Sequence, residues 1–97
     1  MGNLNITDNE FLRQFEVEVG DDLAKIEYAL QDRKIFLTKL IIPSSNDDKK
    51  FEETFIREVF EIIREKNIRI MPTSPEIRKF IKKYKEFKDL LPIGVRL

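Results

Sequence analysis

The side chains available for chemistry in this 97-residue chain are carboxylates, lysines, tyrosines and hydroxyls, because it holds no histidine and no cysteine. Without histidine the usual general base near neutral pH and the commonest metal ligand are missing. Without cysteine, disulfides, thiolate metal sites and a thiol nucleophile are excluded. Metal chemistry is therefore not expected. Ser74 is the one hydroxyl in a distinctive setting, Pro72-Thr73-Ser74-Pro75, but an unactivated hydroxyl is a poor nucleophile. Its place before Pro75 suits a helix N-cap equally well. The polar run Ser44-Ser45-Asn46-Asp47-Asp48 leads from a strand into a helix, where phosphates can be gripped by backbone N–H groups at the positive end of the helix. That grip needs glycine so that no side chain blocks the approach, and this turn has none.

The elements that must position these groups follow from hydrophobic spacing. Phe15, Val17 and Val19 alternate with Gln14, Glu16 and Glu18, the period of a half-exposed strand. Gly20-Asp21-Asp22 turns the chain, and Ala24, Ile26, Tyr28 and Leu30 form a second strand, antiparallel to the first. After Asp32-Arg33, the run from Lys34 to Ile42 is apolar on both faces except at Thr38 and Lys39, which predicts a central strand covered on both sides and ended by Pro43. A helix is expected over about residues 49–66, with Phe51, Phe55, Ile56, Val59, Phe60, Ile62 and Ile63 inward and Asn67 as its stop. Ile68-Arg69-Ile70-Met71 is a short strand that pairs in parallel after the helical crossover. Ile77, Phe80, Ile81 and Tyr84 recur at i, i+3, i+4 and i+7 and mark a second helix. The expectation is one α+β domain over residues 1–97, order β-β-β-α-β-α, with antiparallel opening strands and a parallel βαβ crossover.

Formal net charge is zero, yet the charges are sorted. Residues 1–32 hold eight acids against Arg13 and Lys25, and residues 75–97 hold seven bases against Glu76, Glu86 and Asp89. Opposite signs can help two solvated faces dock, or the basic end can present a surface to an anion. Arg78, Lys79, Lys82, Lys83, Lys85 and Lys88 do not make a nucleic-acid surface, since Phe80 and Tyr84 belong to the buried stripe and cannot stack on bases. No stretch approaches a membrane span and the start lacks a basic-then-apolar leader, so the cytosol is the expected compartment.

Taken together, Asp8-Asn9-Glu10 with Arg13, Phe15, Val17, Gly20, Ala24, Ile26 and Tyr28, then Pro72-x-Ser74-Pro75, Phe80-Ile81 and Glu86-Phe87-x-Asp89-Leu90-Leu91, resemble the smallest single-domain branch of the GNAT acyl-CoA N-acetyltransferase superfamily. The match runs nearly end to end. It implies a curved mixed sheet whose strands ending at Ile42 and at Met71 splay apart to admit acetyl-CoA, with Leu40, Ile41 and Ile42 beside the cofactor. It further implies transfer of an acetyl group to a small amine or a protein amine. The family's phosphate turn reads Gln or Arg, two residues, Gly, one residue, then Gly or Ala; anchored on Pro43, those positions here are Asp47, Asp48, Lys49, Lys50, Phe51 and Glu52, and none matches. Asp47, Asp48, Glu52 and Glu53 outnumber Lys49 and Lys50. Each acid within about 4 Å of a phosphate costs roughly 1 kcal/mol in water and several times that near a protein surface. Ser74 stands where relatives carry cysteine, and Lys39-Leu40 where they show His-Thr. For direct transfer, Glu16, Glu18 or Glu27 could supply the base and Tyr84 or Tyr28 the acid. The resemblance thus implies a lineage of acetyl-CoA-dependent transfer, weakened or lost with the turn, or else a non-catalytic binding or scaffold module on the same fold.

Overall fold

The computed structural model describes residues 4–43, 48–95 and 97. Five strands form one sheet in the order β1 (Thr7–Asn9), β2 (Gln14–Val19), β3 (Asp22–Gln31), β4 (Lys34–Ile41) and β5 (Arg69–Pro72). Helix α1 (Lys49–Lys66) crosses from β4 to β5, and α2 (Pro75–Lys83) runs into a 3₁₀ segment, Lys85–Leu90. The first four strands are antiparallel neighbours, while β4 and β5 are parallel. The expected mixed α+β fold is therefore observed, with β1 added at the front. Three residues are too few for a period to show, and β1 exists because Thr7, Asp8 and Asn9 pair with Glu16, Phe15 and Gln14.

Alternation puts Phe15, Val17, Ala24, Ile26, Tyr28, Ile35, Leu37 and Ile70 on one face, and all are buried. Against them pack Phe55, Ile56, Val59, Phe60 and Ile63 of α1 and Ile77, Phe80 and Ile81 of α2, in one cluster. Phe60 meets Phe80 and Phe87 edge-on at centroid distances of 5.3 and 5.2 Å, which ties both helices to the closing segment. The sequence predicts β4 covered on both faces; instead Phe36 is only half-buried, and Thr38 and Lys39 are exposed. Both helices collect on the same side, so among the described residues no helix covers the second face of the sheet. Among the described residues, no helix is long and apolar enough to cross a membrane.

Polar ties close the edges. Tyr28 donates to Asp8 at 2.5 Å, and Lys66 lies 3.6 Å from Asp8, joining β1 to the end of α1. Burial and the Asp8 carboxylate hold the Tyr28 phenol well above its ordinary pKa. Arg64 reaches Asp89 at 2.8 Å and Arg69 donates to the Asp89 carbonyl, which fixes the 3₁₀ segment against α1 and β5. Asn67 ends α1 in the left-handed conformation (φ 61°), its N–H bonded to the Arg64 carbonyl at 3.1 Å.

The β3–β4 hairpin carries an avoidable cost. Gln31 pairs with Lys34, leaving a two-residue turn in which Asp32 (φ 50°) and Arg33 (φ 63°) both sit at positive φ. The mirror-image turn that suits strand twist demands this geometry, and glycine meets it without the Cβ strain. Arg33→Gly should stabilise the domain by about 0.5–1 kcal/mol, seen as a higher urea midpoint at unchanged m value. A lower midpoint would mean that the Arg33 side chain contributes more than the turn strain costs.

Candidate functional site

The parallel ladder between β4 and β5 ends at Leu37↔Pro72. Beyond it the Leu37 carbonyl accepts the Ser74 N–H and the Thr73 hydroxyl, both at 3.0 Å, so the chain leaves β5 and turns directly into α2. On its other side β4 bulges: Tyr28 pairs with Leu37 but Glu27 with Lys39, so Thr38 is the extra residue, its hydroxyl bonded to the Glu27 carbonyl at 3.2 Å. The last residues of β4, including Leu40 and Ile41, and then Ile42, thus run half-buried past the point where β5 has departed. This is the parting of strands that the sequence leads one to expect.

A cleft of about 250 Å³ lies between the first turns of α1 and the inner side of α2. Ile56 and Phe80 supply its apolar surface, and Lys49, Glu52, Glu53, Glu76, Lys79 and Lys83 its charged rim. Of the residues marked by the sequence, Lys49 and Glu52 reach this cleft, whereas Leu40, Ile41 and Ile42 do not line it.

The entrance of α1 is already occupied by its own side chain. Asp48 is the N-cap, with its carboxylate accepting the Lys50 N–H at 2.9 Å, and its carbonyl takes the Glu52 N–H at 3.1 Å. Lys49 and Lys50 are exposed, and Phe51 stacks on Phe55 at 6.1 Å. Asp47 lies outside the described residues. A diphosphate at this turn would meet a carboxylate and the side chains of Lys50 and Glu52 where the family has open backbone. The turn therefore does not fit the phosphate-binding role.

Two carboxylates that the sequence does not single out organise the cleft. Glu53 accepts the Tyr84 hydroxyl at 2.7 Å and the Lys83 ammonium at 2.8 Å, and these bonds hold its carboxyl below the ordinary value. The Tyr84 ring is in turn covered by the Arg57 guanidinium at 4.7 Å. Ser74 does stand at the N-cap of α2 before Pro75, but its buried hydroxyl makes no capping bond. It donates instead to Glu76 at 2.7 Å, and this bond, with Glu76's own N–H, lowers the Glu76 carboxyl. A carboxylate with a depressed pKa is a weak base, so Glu76 orients the Ser74 hydroxyl rather than activating it. Tyr84 can give its proton elsewhere only if Glu53 releases it.

The glutamates offered as bases lie elsewhere. Glu27 follows buried Ile26 and precedes buried Tyr28, so it faces the uncovered side of the sheet, opposite Lys39 in register. Glu16 is on the same side and accepts from Asn9 at 2.9 Å and Gln14 at 2.5 Å, while Glu18 is exposed. The structure brings Ser74, Glu76, Glu53 and Tyr84 to the helix side and leaves Glu16, Glu18 and Glu27 on the opposite face. Among the described residues, no group of three or more acids is placed to hold a metal ion. A Glu directly after Ser-Pro was the available signal for Glu76; nothing local marks Glu53, whose partners lie about thirty positions away.

A sheet that parts between a central strand and a parallel neighbour, with the crossover helix starting at the split, defines the class of acyl-CoA N-acyltransferase folds. The chain belongs to the GCN5-related N-acetyltransferase family, whose model matches residues 14–90. Among solved structures, it is similar to a GCN5-like protein of Staphylococcus aureus determined by NMR in solution, at 22% identity and a TM-score of 0.70, over 99% of this chain and 94% of that one. That likeness concerns the fold. No curated protein matches the chain.

The carboxylate network makes stability depend on acid. Glu53 and Glu76 have pKa values lowered from 4.5 in the folded state, so their contribution is full above the unfolded value and is lost as pH falls through the folded one. Glu53→Gln and Glu76→Gln should each lower Tm by a few degrees at pH 7, with the difference from the parent closing as the pH falls below the ordinary carboxylate range. A gap that stays constant with pH, followed by circular dichroism, would mean that the charge is not what these residues contribute.

Proposed function

We propose that the domain engages an acyl-coenzyme A weakly and that acetyl transfer to a small or protein amine is slow or lost. The observation that carries this reading is the Asp48 carboxylate on the Lys50 N–H, which fills the place where the family's diphosphate is held. The support for a retained ligand is the cleft between α1 and α2, which combines apolar side chains with a charged rim. Acetyl-coenzyme A would supply the thioester when bound. This chain's residues would hold its apolar arm against Ile56 and Phe80 and would present the Tyr84 hydroxyl near the rim. A cytosolic setting suits a ligand of that kind and a chain with no cysteine.

A second reading, a non-catalytic binding or scaffold module, draws on one specific feature. The hydroxyls that could serve transfer, on Ser74, Tyr84 and Tyr28, are committed to carboxylates at 2.7, 2.7 and 2.5 Å.

Calorimetric titration with coenzyme A and acetyl-coenzyme A, combined with thermal shift, tests the proposal. Binding in the range of about 0.1–1 mM is expected, with a thermal shift that grows with ligand, since a ligand at 100 times Kd adds about 2.7 kcal/mol. No shift at millimolar ligand would hand the protein to the scaffold reading. Tight binding with rapid acetylation of a simple amine would overturn the claim that the grip and the transfer are impaired.

A further inference from the structure

Helix α2 carries a cationic stripe that the fold does not use. Pro75, Arg78, Lys79 and Lys82 recur at i, i+3, i+4 and i+7, one face of the helix, while Ile77, Phe80 and Ile81 are buried on another. These four residues, with Leu97, line a groove of about 310 Å³. Several other cations of the helices are paired: Lys83 with Glu53, Arg64 with Asp89 and Glu61, Lys66 with Asp8. Among the described residues, Arg78, Lys79 and Lys82 have no carboxylate within ion-pair distance, although Lys79 is near enough to Glu76 to help lower its carboxyl. Like charges three and four positions apart repel one another on a helix, which offsets part of what Lys82 gains in the last turn of α2. Lys79 also lines the cleft, so groove and cleft are neighbours that share this residue.

We infer that the phosphates of the acyl-coenzyme A are held in this α2 groove by Arg78, Lys79 and Lys82, in place of the backbone turn of α1. The inference deepens the proposed function and rests on it. The chemistry is matched: a diphosphate and a 3′-phosphate need several donors of positive charge, and a guanidinium can engage a phosphate through two N–H bonds at once. Placement is matched too, since a ligand whose phosphates lie in the groove can pass its apolar arm across Lys79 to Ile56 and Phe80. The alternative entrance at α1 is capped by Asp48.

The test is titration of the full chain with coenzyme A and with inorganic pyrophosphate, read by calorimetry and by amide chemical shifts. The double variant Arg78→Ala/Lys82→Ala should weaken coenzyme A binding about tenfold or more, and Arg78→Glu/Lys82→Glu should abolish it. Lys88→Ala, an exposed cation away from the groove, should leave it unchanged. All these positions are exposed, so the variants are expected to fold. Shifts should concentrate at residues 78–82. Equal coenzyme A affinity in all variants, or shifts centred on residues 48–52, overturns the groove while leaving the acyl-carrier reading intact. Pyrophosphate binding that depends on these cations, without coenzyme A binding, keeps the groove and overturns that reading. No binding of either ligand overturns both. A short single-stranded oligonucleotide held more tightly than coenzyme A would assign the groove to nucleic acid and overturn the inference.

Discussion

The Leu37 carbonyl is the point on which the site depends. A parallel ladder continues as long as each strand keeps offering N–H groups to its neighbour, and here the supply ends at Pro72, which has none. Leu37 then turns to the Ser74 amide and the Thr73 hydroxyl, which start the next helix. Pro75 fixes the first helical φ and loses nothing by lacking its N–H there. The bulge at Thr38 bends β4 on its other flank at the same level. Two prolines, one carbonyl and one extra residue therefore end the β4–β5 ladder and start α2 at that level.

Both helix starts that face the opening satisfy their own amides with carboxylates. At α1 the donor is Lys50 and the acceptor Asp48; at α2 Glu76 takes its own N–H together with the Ser74 hydroxyl. An N-cap of this kind contributes on the order of 1 kcal/mol, and a ligand anion must displace it before it gains anything. The positive ends of the helices are thus spent on the fold.

Much of the frame was legible because it is local. The alternation at Phe15, Val17 and Val19, the wide stripe of α1, the stop at Asn67 and the Ser74-Pro75 start of α2 all depend on near neighbours, and each is found where the spacing puts it. β1 was not legible, since three residues have no period and acquire strand geometry only by pairing with β2. The cover over β4 was misjudged for a related reason: apolar content says that a strand is buried, but the placement of both helices on one face is a property of the chain path. The candidate site was legible in its negative part, the absence of glycine after β4. Its positive part, Glu53 joined to Lys83 and Tyr84, links residues 30 and 31 positions apart and leaves no trace in any window of sequence.

The loss of the glycine turn and the survival of the fold are physically independent. α1 is anchored by Phe55, Ile56, Val59, Phe60 and Ile63, all buried and all beyond its entrance, so the exposed residues 48–50 can change without touching the core. A backbone grip is preorganised, whereas lysine and arginine lose rotamer freedom when they close on a phosphate, and their field is screened over about 8 Å at physiological salt. Moving the phosphate contact from main chain to side chains consequently keeps the ligand class and weakens the hold. It also loosens control of the thioester, because the anchor then sits on long, flexible stems, and transfer falls steeply when reacting atoms are misplaced by as little as about 1 Å.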